Sequence, residues 1–356
     1  MTTRVLILIA AALAAVAAGS VSAHTITVDC QGLGDFEDLP LAVWAGDESD
    51  TVLVEPCVYH VGSFGWPIQL SADSPTIVGR EGAEVTILQG TGTQSAFVIG
   101  RGFRACIKGL TFRNLEHVID RGKGDRAGFV HFTENVIEYC GEGLNASNLL
   151  DTSVVSDNVI IYCDGYGIYM YHNSGIISGN EVCYNVCGIT GSCCETPTIQ
   201  GNHVHHNSAV GIHTVFYANV TENIIEYNGL GIFTESTGYS NVFANNIIRF
   251  NAGATYYPGG VFFGGYGPMQ FYHNDVYGNE PHNFACDEYS SACVIDATMN
   301  WWGTTNPHEI AAGIYDCSDD PGIDACVVFD PWCACPGCEP TIVKPATWGS
   351  IKSLYR

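Results

Sequence analysis

Positive charge is scarce in this chain: 13 Lys and Arg stand against 37 Asp and Glu, for a formal net charge of −24. Such a balance excludes nucleic acid and an anionic membrane surface as partners, and it makes a strongly anionic polymer a poor substrate unless a cation mediates. Charge of either sign is thin, at 14% of residues, and strong helix formers are few outside the two ends, while 41 Gly and 18 Tyr are present. That composition is β-rich. After Ala18 no segment holds about 20 uninterrupted apolar residues, so nothing past the N-terminal end has the length of a membrane span.

The N-terminal end itself reads as a leader. Arg4 precedes the apolar run Val5–Ala18, and Val21-Ser22-Ala23 places small residues where a signal peptidase cuts. Residues 1–23 are therefore expected to be removed, with the mature chain starting near His24, secreted or held at the cell surface. Sixteen cysteines in an exported chain point to disulfides rather than intracellular metal chemistry.

A short phrase then organises the chain. It starts at Asn135, Asn158, Asn180, Asn202, Asn223, Asn246 and Asn274, with spacings of 23, 22, 22, 21, 23 and 28 residues. A period this regular means a solenoid, with about 22 residues per coil and room for three short strands in each. Counting from each Asn, position +2 is always Ile or Val and position −3 is always apolar, from Phe132 to Phe271. These columns are expected to face the core, and +1 and +3, which mix charged and polar residues, to face out. A Gly followed by an apolar residue recurs from Gly143-Leu144 to Gly260-Val261 and marks a further sheet. Asn at 0 and +5 is expected at the bends, stacking into two amide ladders.

The columns also predict covalent pairs. Cys140 and Cys163 occupy +5 in adjacent coils, and strands about 4.8 Å apart fall within the Cα separation a disulfide spans. Cys30–Cys57 is expected across the N-terminal end, and Cys286–Cys293 and Cys317–Cys326 are expected as local bridges. The phrase at Ile107–Asn114 resembles the repeat with Gly109 in place of its first Asn, and Arg121–Arg126 reads as an exposed basic loop.

Gly32-Leu33-Gly34-Asp35-Phe36, followed by an amphipathic stretch and the strand Thr51–Val54, resembles the opening of pectate-lyase-like right-handed β-helices. Departures are Pro40, in the first turn of the expected helix, and Cys57, where such chains usually carry Gly. Asn300–Gly303, Pro307–Ile310 and Ile314–Asp316 look like the closing module of secreted β-helix repeat proteins. The resemblance implies an all-β, single-domain, single-stranded right-handed parallel β-helix. Its expected parts are an N-terminal cap at 24–57, coils at 58–298, a closing module at 299–332 and a Cys/Pro-rich linker and basic tail at 333–356.

Reading across coils places Glu181, Cys183, His203, His205, Glu226 and Arg249 on one outward patch. His203, His205, Glu181, Glu226 and Arg249 are the candidate catalytic set, since such groups suit acid and base work or a divalent metal. An outward row through Tyr169, His213, Phe233 and Phe262, with Tyr171 and Glu235 beside it, suits stacking against sugar faces. Asp316, Asp319, Asp320 and Asp324 are dense enough to suit calcium, the one cofactor this region suggests. Polygalacturonase-like chains carry Gly-His-Gly and Arg-x-Lys motifs; Gly-His-Gly does not occur here, and Arg-x-Lys occurs only as Arg121-Gly122-Lys123 in the basic loop. Three functions follow: a glycan- or partner-binding surface protein, a polysaccharide lyase, hydrolase or epimerase, or a periplasmic metal-handling protein resembling copper-associated β-helix proteins. The expected partner is a polysaccharide or cell-surface glycan.

Overall fold

The computed structural model describes residues 23–337 apart from 63, 100–101, 121–127, 151, 193–195, 216, 236–240, 254–258, 266–268 and 288–292. The leader up to Ser22, the Arg121–Arg126 loop, the vicinal pair Cys193 and Cys194, and the chain from Cys338 onward lie outside these residues. Among the described residues, every named strand pair is parallel, in sheets of thirteen, ten, eight and three strands. Each regular coil visits the thirteen-stranded, ten-stranded and eight-stranded sheets in turn, and the three-stranded sheet takes the last place in the early coils. The result is a solenoid of about 24 residues per turn.

The column reading holds at residue level. Ile137, Ile160, Val182, Val204, Ile225, Ile248 and Val276 lie in register along the ten-stranded sheet, and all are 0% exposed. The −3 column, from Phe132 to Phe271, fills the core from the thirteen-stranded sheet in the same way. Full burial of each such side chain contributes roughly 1.5–3 kcal/mol, so a stack of coils closes over one continuous core. At Gly231 an added Cβ would meet Gly260 O at 2.6 Å and Asn251 Nδ2 at 2.9 Å, so the close approach of coils requires Gly there.

Both amide ladders form, and the first extends past its seventh phrase to Asn300. Asn202 is typical: its Oδ1 accepts from Asn180 N at 3.0 Å, and its Nδ2 donates to Ile177 O at 3.0 Å and Asn223 Oδ1 at 2.9 Å. The ladder asparagines are buried, and the unusual backbone angle belongs to the residue before each one. Glu134, Asp157, Glu222, Asn245 and His273 precede the first ladder with φ of 55–60°, and Tyr139, Tyr162, Tyr184, His206, Tyr227 and Phe250 precede the +5 column with φ of 54–57°. A left-handed residue turns the corner, and the next side chain then points inward. The early phrase shifts by one for the same reason. Gly109 has φ 68° and takes the corner, and Leu110, whose N–H donates to Asn135 Oδ1, takes the ladder position.

At the N-terminal end, the helix Leu39–Ala45 carries Pro40 in its first turn and packs on the strands Thr25–Val28 and Thr51–Val54. The disulfides Cys30–Cys57 and Cys317–Cys326 are formed. Near the other end, the helix Pro307–Ala312 is capped by Asn306, and Trp302 is buried with its ring centroid 6.3 Å from that of Phe271.

Two expected disulfides are absent, since Cys140, Cys163, Cys286 and Cys293 are all free thiols. Cys140 and Cys163 do stack in adjacent coils, but each sulfur turns toward a carbonyl that a ladder Asn would reach. Cys140 Sγ lies 3.4 Å from Glu138 O and 3.7 Å from Phe112 O, and Cys163 Sγ lies 3.8 Å from Ile161 O. The thiols substitute for amides instead of facing each other. Cys286 is sealed in the core on a strand of the eight-stranded sheet, whereas Cys293 adjoins the thirteen-stranded sheet.

Candidate functional site

The outward side of the ten-stranded sheet brings the sequence-predicted patch together. Register places Glu181 beside His203, Cys183 beside His205, His205 beside Glu226, and Glu226 beside Arg249. Glu226 is the hub: Oε1 lies 3.0 Å from His203 Nε2 and Oε2 accepts from Arg249 Nε at 2.6 Å. Arg249 Nη1 also donates to Tyr277 Oη at 3.0 Å. His205 Nε2 lies 3.3 Å from Glu181 Oε1, and His205 Nδ1 lies 2.8 Å from His206 Nδ1.

The +3 residues face outward, yet Cys183, His205 and Glu226 are buried, at 1%, 9% and 8% exposure. Burial alone would raise the Glu226 carboxyl, but Arg249 and His203 outweigh it and hold the group below the ordinary carboxylate range. Burial and then the neighbouring His203 lower His205, which favours its neutral form. Burial, reinforced by the Glu181 charge, pushes the Cys183 thiol up to about 12.

A second outward row runs along the eight-stranded sheet through Asn145, Tyr169, Thr190, His213, Phe233 and Phe262 in register. The rings of His213 and Phe233 stack at 4.6 Å, and Phe233 meets Phe262 at 5.5 Å. Tyr171 sits beside the row, its ring 4.3 Å from that of His172. Thr190 Oγ1 and His213 Nε2 are buried from water and have no hydrogen-bond partner among the described residues. Glu235 Oε1 stands 3.7 Å from His213 Nε2, long for a hydrogen bond, yet the imidazole still draws the Glu235 carboxyl below its usual value.

A third row was missed in the sequence. Tyr139, Tyr162, Tyr184, His206, Tyr227 and Phe250, the left-handed corner residues, stack ring on ring with centroids 4.9–5.5 Å apart. The signal was an aromatic or His at +4 in six consecutive phrases. Because the faces cover one another, the ladder presents mainly ring edges to solvent.

The acidic loop does not assemble as a group. Asp316 accepts from Ser318 and Val327, Asp319 accepts from Asp316 N, and Asp320 accepts from Gly322 N and Tyr315 Oη. Among the described residues, a cluster of three or more potential metal ligands forms only at Glu181, Cys183 and His205.

The family model for the right-handed β-helix region matches residues 84–219 and 145–300, more than half of the chain. The chain belongs to the right-handed β-helix family. Similar solved structures include two modules from Azotobacter vinelandii. The A-module of mannuronan C-5 epimerase AlgE4 is 13% identical, covering 84% of this chain and 96% of its own, with a TM-score of 0.51. That of AlgE6 is 12% identical, covering 82% and 96%, with a TM-score of 0.49. Comparison with curated protein sequences returns no match. Among the described residues of this β-helix, no helix is long and apolar enough to cross a membrane.

Proposed function

We propose that this β-helix is an exported protein that binds a neutral glycan along the outward row of its eight-stranded sheet and does not turn it over. One observation carries the reading: a row of half-buried aromatic rings, Tyr169, Phe233 and Phe262, holds Thr190 and His213 at its centre, with the Glu235 carboxylate beside His213. The Glu235 side chain, 41% exposed, offers a carboxylate acceptor for sugar hydroxyls at the edge of that row. Half-buried rings beside such groups offer the apolar contact that sugar rings use. The net charge of −24 favours a neutral polymer over a polyanion.

The catalytic alternative uses the other face, and its chemistry is less apt. Glu226 is held ionised between Arg249 and His203, so it is poorly set up to donate a proton, and its oxygens are already engaged. A screen of neutral and uronate polysaccharides, read both for retention and for new reducing ends, unsaturated uronates or epimerised residues, tests the proposal. Retention of a neutral polymer without product supports it. Product formation, abolished by Glu226→Gln, would establish the enzyme instead.

A further inference from the structure

We propose that Glu181, Cys183 and His205 form a binding site for one zinc-class transition-metal ion, with a carboxylate oxygen, Cys183 Sγ and His205 Nε2 as ligands. The site lies on the ten-stranded sheet, a different outward face from the glycan row, and does not depend on that reading. Parallel pairing sets it: Glu181 and Cys183 share one strand, and His205 is the register partner of Cys183 on the next. The three ligand atoms all lie within 4.8 Å of one another. His205 Nε2 and Glu181 Oε1, 3.3 Å apart, already have close to the separation of two ligands on a tetrahedral ion with bonds of about 2.0–2.3 Å. The exposed Glu181 side chain is free to make the remaining adjustment.

The donor set specifies the class of ion. A thiolate with an imidazole and a carboxylate suits zinc and its neighbours, whereas calcium and magnesium take oxygen ligands. Cys183 is a free thiol, 1% exposed, that faces outward into this polar group rather than into the core column of Val182. The surroundings complete the arrangement. Coordination through Nε2 requires a proton on Nδ1 of His205, and His206 Nδ1 stands 2.8 Å away to accept it. His206 is itself held between the stacked rings of Tyr184 and Tyr227. His203, by contrast, directs Nε2 to Glu226 and stays out of the set. Three protein ligands leave a fourth position open toward the exposed Glu181 edge, the pattern of a site that also takes water or a small ligand.

The test uses the full exported chain, stripped with chelator, dialysed, and titrated with Zn²⁺ by calorimetry and with Co²⁺ by absorption. The proposal expects one ion per chain and a thiolate-to-cobalt charge-transfer band. Cys183→Ser removes the band, and Glu181→Gln and His206→Ala weaken binding by about 10–100-fold. His203→Ala leaves both stoichiometry and band in place. Glu181→Gln lies at an exposed edge and keeps the test open if Cys183→Ser does not fold by circular dichroism. Absence of saturable binding, or a band that survives Cys183→Ser, overturns the site. Glycan retention by the stripped protein is expected to be unchanged, so the two proposals fail separately.

Discussion

Position +2 of the repeat is Ile or Val in all seven phrases from Ile137 to Val276 and is fully buried in each. Position +3, one residue on, runs Glu138, Ile161, Cys183, His205, Glu226, Arg249 and Tyr277. The inward column is uniform because each coil must pack on the next at one spacing. The fold makes no such demand of the outward column. Repetition therefore reports architecture, and the places where an outward row breaks repetition report chemistry.

Substitutions that act on only one side would sharpen this division. The largest effect is expected on reactivity. Burial pushes the Cys140 thiol up to about 11 and the Cys163 thiol up to about 12, so native protein at pH 8 should label at these positions at least ~100-fold more slowly than unfolded protein. Mass-resolved alkylation checks this, and two thiols that stay unlabelled even in denaturant without reductant would mean that the disulfide exists. Next, Asn202→Leu strands Asn180 N and Ile177 O in the interior, while Gln200 O keeps the Gly179 N–H. At about 1–3 kcal/mol for each buried orphan, partly relieved by relaxation, the expected loss is about 3–5 kcal/mol in urea unfolding, with glycan affinity of the folded protein unchanged.

The smallest effect belongs to Glu235→Gln, on the outward side. The Glu235 carboxyl is lowered by His213, so its contribution to stability is present above the ordinary carboxylate range and is lost as pH falls through the folded value. With a side chain 41% exposed, the loss should stay below about 1 kcal/mol near neutral pH and vanish in acid, as pH-dependent melting would reveal.

Much of this was legible in the sequence, and the reasons for the rest are physical. The −3, +2 and Gly-apolar columns were readable because burial selects residue type at a fixed period. The patch residues were placed together correctly by register alone. Their burial was not readable, because what covers Cys183, His205 and Glu226 depends on side-chain conformations. The same limit explains Cys140 and Cys163: stacking satisfied the distance a disulfide needs, but the carbonyls that the Asn ladders use set the direction of each sulfur. The one-residue shift at Gly109 arose because Gly matched the corner, not the Asn after it. The stacked corner rings escaped notice because +4 was read as part of a phrase rather than as a column.

The central claim is that the outward row of the eight-stranded sheet binds glycan while the inward columns only hold the coils. Affinity electrophoresis of the wild-type chain beside Tyr169→Ala/Phe233→Ala, in gels holding a neutral polysaccharide, tests it most directly. The account predicts retardation of the wild-type chain and at least about a tenfold loss of affinity in the variant, or about 1.4 kcal/mol, with an unfolding free energy changed by less than half that of Asn202→Leu. Equal retardation of the two proteins, or none for the wild-type chain across neutral polymers, would contradict it.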